Sequence, residues 1–279
     1  TPDYNPNLIV KKPNQHYWNE ILKNPLSPLI NRSIQGLYAP GSTFKMIVAL
    51  AGLNKGVVST EDEVFCKGKI EFGDRFYHCW KTKGHGRINL IRAIKESCDV
   101  FFYELSKKIG IDYIEKIAKK FGLGQVSNLG FEIEKKGIIP SKKWKKEKLK
   151  QNWYAGDTLN AGVGQGYVLS NPLQLAVMVA RIASNGKKIE PSIFKQSTEK
   201  EFQQINLGTK YIDLIQKGMF KVVNENMGTA FKSRSNDYQF SGKTGTSQVK
   251  KITLEERESE DFRKVEQEWK NKEHALFVG

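Results

Sequence analysis

The segment Pro40-Gly41-Ser42-Thr43-Phe44-Lys45, running into Met46-Ile47-Val48-Ala49-Leu50, constrains this chain more than any other. Pro40 and Gly41 mark a turn. The apolar run has no breaker before Gly52, so it predicts a buried helix over Thr43 to Asn54, ending near Gly56. Lys45 lies one turn after Ser42 on the same helix face. A serine hydroxyl is a weak nucleophile until a neighbour takes its proton. An amine can do so when neutral, a form favoured by burial and by nearby positive charge. The helix N-terminus adds backbone N–H groups that favour a developing anion. Alone, the pair also fits a serine N-cap in a lysine-rich chain.

Two further stretches narrow the choice. Ser97-Cys98-Asp99 interrupts the helical pattern of Ile88 to Lys108, as a loop between two helices would. Lys243-Thr244-Gly245-Thr246 sits in the strand-like run from Gln239 to Lys250. A serine–lysine pair, a Ser-x-Asn-type element and Lys-Thr-Gly, in that order, form the set of penicillin-binding proteins and class A β-lactamases. The chain resembles the transpeptidase domain of class B penicillin-binding proteins, and more narrowly their elongation type, penicillin-binding protein 2. Gly84-His85-Gly86-Arg87, Asp99-Val100-Phe101-Phe102-Tyr103, Trp153-Tyr154-Ala155-Gly156-Asp157-Thr158, Gly164-Gln165-Gly166-Tyr167 and His274 to Gly279 carry the resemblance across nearly the whole chain. Asp99 stands where the general pattern has asparagine, as it does in the elongation type.

The resemblance implies an α/β (α+β) serine transpeptidase/β-lactamase-like fold, a helical subdomain plus an antiparallel sheet. Residues 1–279 would be a partial transpeptidase domain, with the membrane anchor, pedestal, first strands and last strand and helix outside it. Ser42 would attack the carbonyl between two D-alanines of a peptidoglycan stem peptide, and Lys45 would take its proton. Ser97, beside Asp99 and with Lys243 nearby, would relay the proton to the leaving amine. Thr244 and Thr246, flanking Gly245, would bind the substrate carboxylate. The N–H groups of Ser42 and Thr246 would form the oxyanion hole. Implied partners are stem peptides, β-lactam antibiotics and a membrane-bound elongation complex including a glycosyltransferase. The implied place is the bacterial inner membrane, with the catalytic domain in the periplasm. A class D-like β-lactamase shares Ser-Thr-Phe-Lys, and a non-catalytic β-lactam sensor shares the nucleophile. Asp99 and the elongation-type stretches weigh against both.

Composition agrees. The chain has 279 residues and a net charge of +15. Its apolar runs are far too short to span a membrane. So strong a positive balance suits nucleic acid, an anionic membrane or the cell wall, but no nucleic-acid module appears, so we expect no nucleic-acid partner. No organic cofactor is expected: Gly162-Val163-Gly164-Gln165-Gly166 lacks the Lys-Ser/Thr of a phosphate loop. Pro2, Pro6, Pro13, Pro25 and Pro28 predict an extended lead-in up to Ile34. Glu61 to Arg87 reads as short strands and loops, Ile111 to Phe121 as a helix, and Leu173 to Ser184 as a helix begun by Asn171-Pro172. Tyr211 to Asn224 is one more helix. Ser141 to Lys150 holds six lysines behind a serine cap, and Leu254 to Glu273 reads as a polar helix or an insertion between strands.

Cys66, Cys79 and Cys98 are odd in number, which does not suit a closed disulfide framework. Their spacing is not that of a compact zinc finger, and buried small residues, or one disulfide and a free thiol, fit as well. Some elongation-type members carry zinc beside the middle residue of the Ser-x-Asp element, here Cys98. Carried over, Cys66, Cys79, His85 and Cys98 would form a closed structural zinc site.

Overall fold

The computed structural model describes residues 2–10, 14–195, 200–247 and 273–279. Except for Glu273, the charged segment expected over Leu254 to Glu273 lies outside them, as do the last three residues of the strand-like run ending at Lys250.

The fold is built around one helix. After a 3-10 turn, Gly41–Phe44, helix α4 runs over Lys45–Lys55, and all of its residues from Lys45 to Leu53 are buried. To introduce the rest in order, α1 is Asn7–Val10, α2 Gln15–Lys23 and α3 Arg32–Gln35. Four strands follow α4: β1 (Glu63–Cys66), β2 (Lys69–Phe72), β3 (Arg75–His78) and β4 (Gly86–Asn89). Helices α5 (Leu90–Lys95), α6 (Asp99–Ile109), α7 (Ile111–Lys120), α8 (Lys142–Leu149), α9 (Ala155–Gly162), α10 (Pro172–Ala183) and α11 (Thr209–Asn224) lead to β5 (Lys243–Ser247) and β6 (His274–Val278). Helices α6, α7 and α11 pack on α4, α9 packs on α6, and α5 on α11.

Such a helix has no polar face to show solvent, so only a position among other helices suits it. The sheets are small and antiparallel. β1 pairs with β4, β2 with β3 and β5 with β6, the last in the register Lys243↔Val278 to Ser247↔His274. The mixed class expected from the sequence is the one observed. The extended lead-in is a correction: the segment holds α1 to α3. Pro2 and Pro6 precede α1, Pro25 and Pro28 lie between α2 and α3, and Asn14 and Asn31 cap α2 and α3 by accepting backbone N–H bonds. Helix α9 is a second addition, since Gly156 and Gly162 gave it no helical signature.

Candidate active site

Ser42 lies half-buried in the 3-10 turn and Lys45 opens α4. Three elements converge there. The first is the junction between α5 and α6. Ser97 adopts φ +55°, a left-handed conformation costly for a serine, and Cys98 then caps α6. Asp99 falls in the first turn of α6, where the helix dipole favours its charge.

The second is the amine pair. Lys45 Nζ donates to Ser97 O at 2.9 Å, Ser97 Oγ at 3.2 Å and Asp99 Oδ1 at 2.7 Å. Lys243 Nζ donates to the same Ser97 Oγ at 3.0 Å and to Thr244 O at 3.1 Å. Both lysines are fully buried. Burial holds the Lys243 amine well below the usual lysine range, the Lys45 charge adds to this, and Asp99 opposes it. One serine hydroxyl therefore touches two buried amines.

The third is β5, which lies against the Ser42 turn. A side chain at Gly245 would meet Thr43 Cγ2 at 2.9 Å and Pro40 O at 3.0 Å, so the strand approaches this closely because it carries glycine. Thr244 Oγ1 shares a 2.6 Å hydrogen bond with Thr229 Oγ1, and Thr246 is exposed. The structure thus gathers Ser42, Lys45, Ser97, Asp99, Lys243, Thr244, Gly245 and Thr246 at one place. Sequence reasoning missed several residues around them. Trp80 donates its backbone N–H to Asp99 Oδ2 at 2.9 Å and its indole N–H to Glu96 O at 3.0 Å. Gln165 Nε2 donates to Thr246 O at 3.3 Å, and Gly41 donates its N–H to Gly164 O at 2.9 Å.

Behind this site, Cys66, Cys79, His85 and Cys98 form one buried cluster that could hold a metal, with their candidate ligand atoms within 4.8 Å of one another. The three cysteines are free thiols. They come from the end of β1, the loop after β3 and the α5–α6 junction, and His85 precedes β4. Hydrogen bonding with Cys79 and then Cys98 pulls the Cys66 thiol down, and the Cys66 and Cys79 sulfurs push the Cys98 thiol up. His85, not His78, is the histidine in the cluster.

A family model described as the penicillin binding protein transpeptidase domain matches residues 1–279. The peptidoglycan D,D-transpeptidase MrdA of Escherichia coli K12 is 34% identical over 263 residues, covering 89% of this chain and 41% of the relative. The chain therefore spans less than half the length of that relative. Among solved structures, Pseudomonas aeruginosa PBP2 in complex with WCK 5153 superposes with a TM-score of 0.85 at 36% identity, covering 100% of this chain and 61% of that one. The complex between PBP2 and MreC from Helicobacter pylori gives a TM-score of 0.84 at 34% identity, over 89% of this chain and 47% of that one. With the ordered motifs brought together in space and the family model running end to end, the chain belongs to the penicillin-binding-protein transpeptidase domain family.

Proposed function

We propose that this chain is part of the transpeptidase domain of a peptidoglycan D,D-transpeptidase of the penicillin-binding protein 2 type, acting through an acyl-enzyme on Ser42. The observation that carries the reading is the Ser97 hydroxyl held between the Lys45 and Lys243 amines, at 3.2 and 3.0 Å.

Ser42 Oγ attacks the carbonyl carbon of the D-alanyl-D-alanine bond, and Lys45 takes its proton. In the resting arrangement Lys45 donates to three acceptors, as many as an ammonium has N–H bonds. To act as base it first passes a proton through Ser97 to Lys243, which burial presses toward the neutral amine that can receive it. The backbone N–H groups of Ser42 and Thr246 stabilise the tetrahedral oxyanion. As the C–N bond breaks, Ser97 delivers a proton to the departing D-alanine nitrogen and takes in its place the proton that Lys45 removed from Ser42. The amine of a neighbouring stem peptide then attacks the acyl carbonyl. Its proton returns to Ser42 Oγ, and a new amide cross-link forms. Thr244, oriented by Thr229, and Thr246 bind the substrate carboxylate, which Lys243 attracts. A β-lactam would acylate the same serine.

On this reading the anchor and pedestal belong to other parts of a longer protein of the bacterial inner membrane. The domain faces the periplasm and works with an elongation complex that includes a glycosyltransferase. Its likeness to MrdA and to a PBP2 seen with MreC supports this. Among the described residues no helix is long and apolar enough to cross a membrane.

The cysteine cluster fits structural zinc. A tetrahedral site with Zn–S of about 2.3 Å and Zn–N of about 2.0 Å sets sulfur and nitrogen about 3.5 Å apart. The Cys66 and Cys79 sulfurs lie 3.6 and 3.5 Å from His85 Nδ1. Zinc bound by Cys66, Cys79, His85 and Cys98 would fix the Ser97–Asp99 turn without touching substrate.

The test is labelling by a fluorescent penicillin. We expect a stable adduct located on Ser42 by mass spectrometry, none in Ser42→Ala with its fold unchanged, and cross-linking of donor and acceptor peptides. An adduct on Ser97 moves the nucleophile. Rapid release of hydrolysed penicillin makes the protein a β-lactamase, and a stable adduct without cross-linking makes it a sensor.

A further inference from the structure

Helix α8 is the most densely charged helix of the structure. Residues 141–150 contain six lysines and one glutamate. Lys145 turns inward. Its Nζ lies 2.6 Å from Asp157 Oδ2 and within 5.7, 5.0 and 5.2 Å of the rings of Trp153, Tyr154 and Tyr167. Burial alone disfavours this ammonium, and the Asp157 carboxylate more than offsets it, raising the Lys145 pKa. Asp157 also accepts the Tyr154 N–H at 2.9 Å, so the inward lysine pins α8 to the start of α9.

The outward lysines work against the helix that carries them. Lys142 and Lys143 stand in the first turn, where the helix dipole favours anions. Lys142, Lys146 and Lys150 repeat like charge at four-residue spacing, which destabilises a helix. Lys150 occupies the left-handed C-cap at φ +57°, a position that favours glycine. Lys142 faces Asp112 at 3.9 Å and Lys143 faces Glu147 at 3.8 Å. Among the described residues, Lys146, Lys148 and Lys150 have no carboxylate within 4.0 Å. All three are exposed.

The charge also has a place. Trp144 packs on Tyr167 with ring centroids 5.4 Å apart, and Gln165, two residues before Tyr167, holds Thr246 O at 3.3 Å. The helix therefore stands on the wall that supports β5. We propose that the exposed lysine face of α8 docks the uncross-linked peptidoglycan strand, a polyanion bearing free carboxylates on each stem peptide. This rests on the substrate class proposed above. A face of unneutralised lysines concentrates such a polyanion near the cleft, and salt weakens the attraction.

The test uses fluorescently labelled, soluble, uncross-linked glycan strands and anisotropy at low and high salt. It compares the wild-type protein with a variant carrying Lys146→Gln, Lys148→Gln and Lys150→Gln. We expect salt-sensitive binding by the wild type. The variant should bind at least about fivefold more weakly at low salt, with a shallower salt dependence. Its melting temperature should be equal or higher, because repulsion is removed. Its penicillin acylation should be unchanged, because a small inhibitor carries no long polyanion for the lysine face to attract. Equal strand binding by the variant overturns the proposal. So does binding to phosphatidylglycerol vesicles in place of strands, which would make α8 a lipid contact. Loss of penicillin labelling in the wild type with lysine-dependent strand binding intact would count against the serine site and not against α8.

Discussion

Lys243 is a fully buried lysine whose amine contacts only Ser97 Oγ and Thr244 O among the described hydrogen bonds. Its folded-state pKa lies well below the unfolded value, so the folded chain binds fewer protons than the unfolded chain in the interval between them. Stability therefore rises with pH across that interval, and the cost of burial is fully present below it. Lys243→Met removes this group. Urea unfolding at rising pH, up to the unfolded lysine value of about 10.4, should show wild type gaining on the variant. A constant gap would mean that Lys243 keeps an ordinary proton affinity in the fold. At this scale the sequence was legible where a spacing fixes which residues share one turn, as Ser42 and Lys45 do at the start of α4. It gave Trp80, Thr229 and Gln165 no partner. Their hydrogen bonds to Asp99, Thr244 and Thr246 bridge 19, 15 and 81 residues, and such distances leave no local pattern.

Helix α9 is the element that seats the Ser42 turn. Just past its end, Gly164 adopts φ +71°, and a side chain there would lie 2.1 Å from Gly41 O and 2.8 Å from Phe44 Cβ. Gly41 directly precedes Ser42, so the push reaches Ser42. Gly164→Ala should lose about 1–3 kcal/mol of stability from strain and overpacking. It should also slow penicillin acylation in the fraction that remains folded. Wild-type acylation at the expected loss of stability would show that the turn relaxes without moving Ser42. Gly162-Val163-Gly164-Gln165-Gly166 lacks a phosphate loop's Lys-Ser/Thr, and its glycines serve packing instead, Gly164 against Gly41 and Gly162 against Ser106. Helix α4 was legible because its unbroken apolar run admits one environment. Helix α9 was not, because it rests on the Asp157 cap and on packing against α6. The helices of the lead-in were hidden by prolines that flank them, with Pro2 and Pro6 ahead of α1 and Pro25 and Pro28 between α2 and α3.

At the scale of the whole molecule, the cysteine cluster joins the small sheets to the helices. Cys66 and His85 bring the β1–β4 pair, Cys79 the loop after the β2–β3 hairpin, and Cys98 the α5–α6 junction. Two-stranded sheets of this size are marginal alone, so a metal tying them to a helix start would supply what their own burial does not. The same tie would reach the Ser97–Asp99 turn. Cys98 stands between Ser97 and Asp99, and Trp80, next to Cys79, holds Asp99 by its backbone N–H. Stability and acylation should therefore fall together. Purified protein should contain about one zinc per chain by elemental analysis. Stripping it with a chelator should lower the melting temperature and slow penicillin acylation, and added zinc should restore both. Cys98→Ser should lose both irreversibly, because the ligand itself is gone. A metal-free protein with full acylation, or a Cys66–Cys79 disulfide found by mass spectrometry, would leave the cluster as three packed thiols. A chelator that lowers stability but spares acylation would confine the metal to the sheets, and the Ser97 turn would then be held by Trp80 and the α6 N-terminus alone.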